Sequence, residues 1–235
     1  MNDYKQSTTP LFTAGLVCLV LFTVIGWGVQ VKSSWVEAFD LYWIDHIQSF
    51  ADPSLTAFVK TATELGNIRL VIVVTVILVL ILFFKRRFAE GLWFGGTILF
   101  CGAICTKILK VAFDRDRPDI WQLITKTNES FPSGHATATA LFYGFIGLLI
   151  VLVSKQRWKK ITAICITLLW ILFIMLTRIY LGVHFPTDVV AGVCFGLASA
   201  LISIAVYIHV RRPLIAFLGK LKLSDKSSLL KQRSR

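Results

Sequence analysis

Six stretches of this chain are long and apolar enough to cross a lipid bilayer, and no other feature constrains its fold more. They lie at about residues 11–31, 68–84, 91–113, 136–153, 161–180 and 187–210. In hydrocarbon every backbone N–H and C=O needs an internal partner, which leaves the helix as the solution for stretches of this length. The expected fold is therefore all-α: a polytopic membrane protein with six transmembrane helices, forming one membrane domain over residues 1–235. Composition agrees. Hydrophobic residues make up 56 % and charged residues 16 % of the 235, against ~25 % charged in a typical soluble domain. Mean hydropathy is +0.72. An ordinary cytosolic enzyme, a disordered chain and a disulfide scaffold are all excluded.

The first stretch is longer than the apolar core of a signal peptide and has no small-residue cleavage site after it, so it reads as an uncleaved span. Basic residues set the orientation. With the N-terminus inside, the inner segments hold 16 Lys and Arg against three acids, Asp3, Glu90 and Asp225. Cytoplasmic segments carry such an excess, which also attracts anionic lipid. Both termini are expected in the cytoplasm of a multi-pass cell-membrane protein. The charge is a topology signal, not a nucleic-acid footprint. Trp27, Trp35, Trp43 and Trp121 fall near the outer interface, as amphipathic rings do.

Between spans 1 and 2 the pattern changes. Val36, Phe39, Trp43, Ile47 and Phe50 recur at helical spacing with Glu37, Asp40, Asp45 and Gln48 between them, until Pro53. A second run, Leu55, Phe58, Val59, Ala62 and Leu65, ends at Gly66. These predict two short amphipathic helices in the outer interface. Residues 213–223 predict another interfacial helix within a basic cytoplasmic tail, 211–235. The five cysteines sit in apolar runs without CxxC spacing and read as small hydrophobes.

Ionisable residues at span ends are costly and mark function. Here they converge on the outer face. Span 3 ends with Lys107 and Lys110, followed by Asp114 to Asp119; span 4 opens at Ser133–Gly134–His135; span 5 ends at Arg178; His184 and Asp188 open span 6. Lys110, Arg117 and Arg178 offer a point charge and two planar forks suited to phosphate oxygens. Ser133 and Gly134 at a helix N-terminus add amides and the positive end of a dipole. His184 and Asp188, four apart, can share a helical face, so the carboxylate holds one imidazole nitrogen and frees the other as a nucleophile. His135 can protonate a leaving oxygen. Asp114, Asp116 and Asp119 alternate with Arg115 and Arg117, which would neutralise them and repel a cation, so no metal is expected. Gly192 and Gly196 read as a close helix contact within the bundle.

Lys110-x6-Arg117-Pro118, then Pro132-Ser133-Gly134-His135, then Arg178-x5-His184-x3-Asp188 together resemble the three-part signature of the type 2 phosphatidic acid phosphatases, which also occurs in vanadium haloperoxidases and glucose-6-phosphatase. The likeness of motifs and spans covers residues 91–210. Thr177 stands where many members carry Ser, a change that keeps the hydroxyl. The resemblance implies that His184 attacks phosphorus, Asp188 orients it, His135 is the acid, and Lys110, Arg117, Ser133, Gly134 and Arg178 hold the phosphate, with no cofactor and no metal. It implies a lipid phosphate or diphosphate substrate at the outer leaflet. It favours undecaprenyl diphosphate, as in cell-wall synthesis, ahead of phosphatidylglycerophosphate or a broad range of lipid phosphates. A lipid transporter using the same cations is the rival from another class; it would need no nucleophile.

Overall fold

The structure, a computed structural model, describes residues 3–119, 122–124 and 128–228, with side chains from Thr8 onward. Among these residues it is helical and contains no strand. Helix α1 is Asp3–Gln30 and α2 is Ser34–Gln48. Helix α3, Pro53–Ala62, runs into a 3-10 turn at Thr63–Gly66, and α4 is Ile68–Phe84. The next span is composite: α5 at Phe88–Thr97, a π-helical segment at Ile98–Cys105, and α6 at Thr106–Phe113. Helices α7 (Gly134–Val153), α8 (Arg157–Tyr180) and α9 (Pro186–Lys220) complete the order. Trp121 and the basic residues Lys231, Arg233 and Arg235 lie outside the described residues.

By length and composition α1, α5–α6, α7, α8 and α9 can each cross a membrane. Helix α4 has 17 residues and reaches the length only together with α3 and its 3-10 turn, at a bend of 43°. Side chains such as Leu16, Val20, Val73, Leu80, Ile166 and Leu169 are exposed. A soluble protein rarely leaves so much apolar surface uncovered; lipid is its natural solvent.

Local sequence explains the helix starts. Asp52 accepts hydrogen bonds from the Ser54 and Leu55 amides, and Pro53 opens α3. The Asn67 side chain accepts from the Arg69 amide at the start of α4, and Ser133 caps α7. Each satisfies amides that a helix leaves unpaired.

Helix α9 is the spine, packed along both α1 and α7. Glycines let the backbones approach. A Cβ on Gly192 would stand 2.7 Å from the Ser133 carbonyl oxygen, and one on Gly196 2.6 Å from that of Thr137. The pair is thus a contact within the bundle. Gly196→Ala is expected to destabilise the protein by about 1–3 kcal/mol, because backbone cannot yield as a side chain can. Gly96→Ala, in the exposed interior of α5 with nothing within 4 Å, should be neutral or slightly stabilising. Thermal unfolding of the two variants in detergent checks the contrast.

Three features depart from the sequence expectation. The third span is not one regular helix. Just past its π segment the Thr106 hydroxyl, at the start of α6, donates to the Cys101 carbonyl 2.9 Å away, and this wider winding resets the face of α6 relative to α5. Helix α9 does not stop before 213. It runs through Pro213 to Lys220, anchored by buried Leu218, and residues 223–228 fold back onto the start of α5 through Asp225 and Ser227. Finally, the face that α2 turns inward carries Val36, Asp40 and Ile44, while Phe39, Trp43 and Phe50 are exposed. The aspartate expected on its polar side is buried.

Candidate active site

All of the residues singled out by the motifs lie at one end of the bundle, where α1–α2, α6–α7 and α8–α9 are connected. Helix α6 ends when Asp114 takes a left-handed conformation (φ 43°), its amide bonding back to the Lys110 carbonyl at 2.9 Å. That conformation is tolerable for Asp, and it turns the following chain across the mouth of the bundle.

Three cations face this space. Lys110 donates to the carbonyls of Glu129 and Ser130. Arg117 donates to the Asn128 carbonyl at 2.6 Å, the Asn128 side chain at 3.1 Å and the Val183 carbonyl. Arg178 is 2 % exposed and donates to the Thr63 hydroxyl at 3.0 Å. Thr63 in turn meets the Thr177 hydroxyl at 2.9 Å, and Thr177 donates to the Ile174 carbonyl at 2.6 Å. The hydroxyl at 177 is thus used, and a chain of bonds fixes the guanidinium. Among the described residues none of these three cations forms an ion pair with a carboxylate. The Arg178 Nε is buried without a hydrogen-bond partner. A buried cation without a counter-charge is costly, so the space is built for an anion.

His184, 2 % exposed, lies in the connection before α9. Its Nε2 is 3.3 Å from Arg117 Nη1. A guanidinium only donates, so Nε2 accepts and Nδ1 carries the proton. Nδ1 is 3.2 Å from the Ser130 hydroxyl, which donates to Asp188 Oδ2. The direct distance from Nδ1 to Asp188 Oδ2 is 3.6 Å, too long for a hydrogen bond. The carboxylate therefore reaches the imidazole through Ser130, not directly as the i, i+4 spacing suggests. Burial, then Arg117, Arg178 and Lys110, hold the imidazole well below its ordinary pKa. It is a neutral base with its free nitrogen turned to the cations.

Asp188 is fully buried and saturated. Its Oδ2 also accepts from the Phe185 amide at 2.9 Å, and its Oδ1 accepts from Arg115 at 2.6 Å. Its carbonyl accepts from the Ser133 amide at 3.0 Å, tying the starts of α7 and α9 together. Ser133 is buried, and Gly134 and His135 open α7 beside it. The Cβ position of Gly134 is 3.9 Å from the Lys110 side chain, so Lys110 lies over the helix N-terminus. His135 is half-buried in this first turn. Lys107 is exposed, away from the cluster.

Sequence reasoning did not find Ser130, Thr63, Asp40 or the part played by Arg115. Arg115 does not pair with the aspartates beside it; it turns inward to Asp40 and Asp188. Among the described residues no three His, Cys, Asp or Glu side chains gather as a metal site. Beside the cluster, an apolar cleft of about 520 Å³ is lined by Leu41, Ile44, Pro118 and Phe185 among others.

This arrangement has counterparts. Residues 90–212 match the PAP2 superfamily. The chain belongs to that superfamily. The phosphatidylglycerophosphatase B of Bacillus subtilis is 34 % identical over 62 % of this chain and 71 % of its own. An undecaprenyl-diphosphatase of Sulfolobus acidocaldarius is 31 % identical over 34 % of each chain. The crystal structure of a transmembrane PAP2-type phosphatidylglycerolphosphate phosphatase from Bacillus subtilis superposes with a TM-score of 0.75, at 25 % identity, over 84 % of this chain and 98 % of that one. The PAP2 match and these phosphatase relatives make the protein a membrane phosphatase. Helix α2, which supplies Asp40, and the 3-10 turn that opens at Thr63 both precede the matched segment.

Proposed function

We propose that this PAP2 phosphatase hydrolyses a lipid phosphate at the outer leaflet of the cell membrane through a phosphohistidine on His184, as one membrane domain with both termini in the cytoplasm. The observation that carries the reading is the neutral His184 Nε2 facing Lys110, Arg117 and Arg178, three cations that form no ion pair with a carboxylate among the described residues. A phosphate monoester supplies the missing negative charge. Lys110, Arg117, Arg178, Ser133 and the Gly134 amide hold its non-bridging oxygens. Nε2 forms the N–P bond while the P–O bond to the leaving group breaks, and His135 gives that oxygen a proton. Asp188, through Ser130, balances the charge that develops on the imidazole. Water then attacks phosphorus, His135 takes its proton, and inorganic phosphate leaves with Nε2 free again. Positioning and charge stabilisation carry such a transfer, and the chain supplies both.

The Bacillus relatives named above favour phosphatidylglycerophosphate as the first substrate to test, ahead of undecaprenyl diphosphate. The apolar cleft beside Pro118 and Phe185 suits the attached tail. Phosphate release from each lipid by the detergent-solubilised chain, with EDTA present, tests the reading. Release from either lipid is expected, with the faster one naming the substrate. No release from either, with soluble phosphate esters turned over instead, would discard the lipid assignment; no release at all would leave the transporter.

A further inference from the structure

Arg115 stands beside the anion space without facing it, and its contacts are unusually complete. Its Nη1 donates to Asp188 Oδ1 at 2.6 Å and to the Thr187 hydroxyl at 2.8 Å. Its Nη2 donates to Asp40 Oδ2 at 2.7 Å. Its guanidinium carbon lies 4.1 Å from the centre of the Phe185 ring. Its own carbonyl accepts from the Ser130 amide at 2.7 Å. One residue thus grips two members of the path from Asp188 to His184: the carboxylate by its side chain and the bridging serine by its main chain. Asp40 completes the clamp from α2. Its Oδ1 accepts from the Thr187 amide and its Oδ2 from the Thr187 hydroxyl, both at 2.8 Å. The carboxylates of Asp40 and Asp188 are almost wholly buried, with Arg115 between them.

We infer that Arg115 and Asp40 are positioning residues for the phosphatase reaction: together they hold the Asp188 carboxylate in place, so that α2, outside the segment that matches the family, is a working part of the active site. This rests on the reading of His184 as nucleophile.

The physical reason is charge balance. Asp188 carries its negative charge where no water solvates it. Arg115 neutralises it through Nη1 and holds Asp40 through Nη2, so the two prongs of one guanidinium span both carboxylates. Asp40 keeps Arg115 from swinging toward a phosphate, as Arg117 and Arg178 are placed to do. The charged groups around Asp188 come from every element packed on it: Asp40 from α2, Lys110 from α6, Arg115, Arg117 and Glu129 from the connection after α6, His135 from α7, Arg178 from α8, and His184 before α9. Removing Arg115 alone leaves Asp40 and Asp188 facing each other. Two buried carboxylates in one site cannot both stay ionised, so one takes up a proton. A protonated Asp188 no longer accepts from Ser130 as a charged partner, and the imidazole loses its orientation and its counter-charge.

The test measures phosphate release from phosphatidylglycerophosphate against pH, with the full chain in detergent; if wild type prefers undecaprenyl diphosphate, that lipid replaces it. Arg115→Gln is expected to lower kcat by about 10–100-fold, the usual cost of losing an outer partner of a reacting group. It should also move the acid limb of kcat/KM to higher pH, because the two facing carboxylates, no longer separated by a guanidinium, would share a proton that must be lost for activity. Asp40→Asn added to Arg115→Gln removes the second carboxylate, so it should bring the limb back toward wild type. Arg115→Lys should keep the limb and lose part of kcat. A role confined to stability predicts otherwise: activity would fall with the melting temperature, the limb would stay, and the double variant would be worse than either single one. An unmoved limb in an active Arg115→Gln enzyme would overturn the inference and leave the nucleophile assignment intact. Wild type inactive on both lipids would remove the phosphatase reading and this inference with it.

Discussion

His184→Ala is expected to reduce phosphate release by about 10⁴–10⁶, the scale on which enzymes lose activity when the attacking group is deleted. No neighbour can replace it. Apart from His135, to which the acid role is assigned, the other described groups around the anion space are cations or hydroxyls; Lys110, Arg117 and Arg178 can bind phosphate but offer no free base at neutral pH. The imidazole is set up for attack by its surroundings. Ser130 holds its Nδ1 side, and Nε2 points at Arg117. A quench of the reaction on radiolabelled substrate should trap phosphate on the wild-type chain in a bond that acid breaks and alkali spares. The variant should trap none. Release that survives in a folded His184→Ala protein would overturn the nucleophile. The pH dependence follows from the same geometry. Because burial and the three cations depress the pKa, the imidazole stays neutral as pH falls through about 6.5, the ordinary histidine value. The wild-type acid limb of kcat/KM should therefore lie well below that point. A limb at the ordinary value would mean that the histidine is solvated and uncoupled from the cations.

Much of this was legible in the sequence, for a physical reason. Crossing a bilayer is a local requirement on consecutive residues, so the stretch at 68–84 reads directly as α4. The starts of helices are also local, as at Asp52–Pro53 and Ser133. The signature residues could be gathered because span topology brings the ends of alternate spans to one side. What could not be read is which partner a charged side chain chooses. Arg115 has Asp114 and Asp116 as chain neighbours, yet bonds Asp40 and Asp188, 75 and 73 residues away. The choice is made by the left-handed turn at Asp114 and by burial: a carboxylate out of water gains more from a guanidinium than an exposed one does. Asp40 looked like the polar side of an amphipathic helix for the same reason, since periodicity does not say which side meets the bundle. Ser130 carries no pattern of its own. Helix α9 passes Pro213 because the packing of Leu218 and the fold-back of residues 223–228 outweigh the lost backbone bond, and neither is local to the proline.

The second large effect is expected at His135, and its size should depend on the leaving group. A lipid alkoxide is a poor leaving group, and expelling it without a proton is slow. His135 lies in the first turn of α7, beside Ser133 and Gly134, and in the proposed mechanism that puts an acid next to the amides that would hold the phosphate. His135→Ala is expected to slow phosphate release from the lipid substrate by about 10²–10⁴, the usual contribution of a positioned acid. An aryl phosphate behaves differently, because its phenolate leaves at neutral pH without help. With that ester the first step should survive in the variant, while the second, in which His135 activates water, should not. The variant should then release one equivalent of phenolate per active site in a burst and stall with phosphate on His184. Stopped-flow absorbance on the aryl ester, set against steady-state release from the lipid, measures both. Equal losses on the two substrates without a burst would mean that His135 binds phosphate and moves no proton. A burst in His135→Ala that disappears when His184→Ala is added would assign the two histidines to successive chemical roles. No shared role in binding, and no general weakening of the fold, produces that pattern.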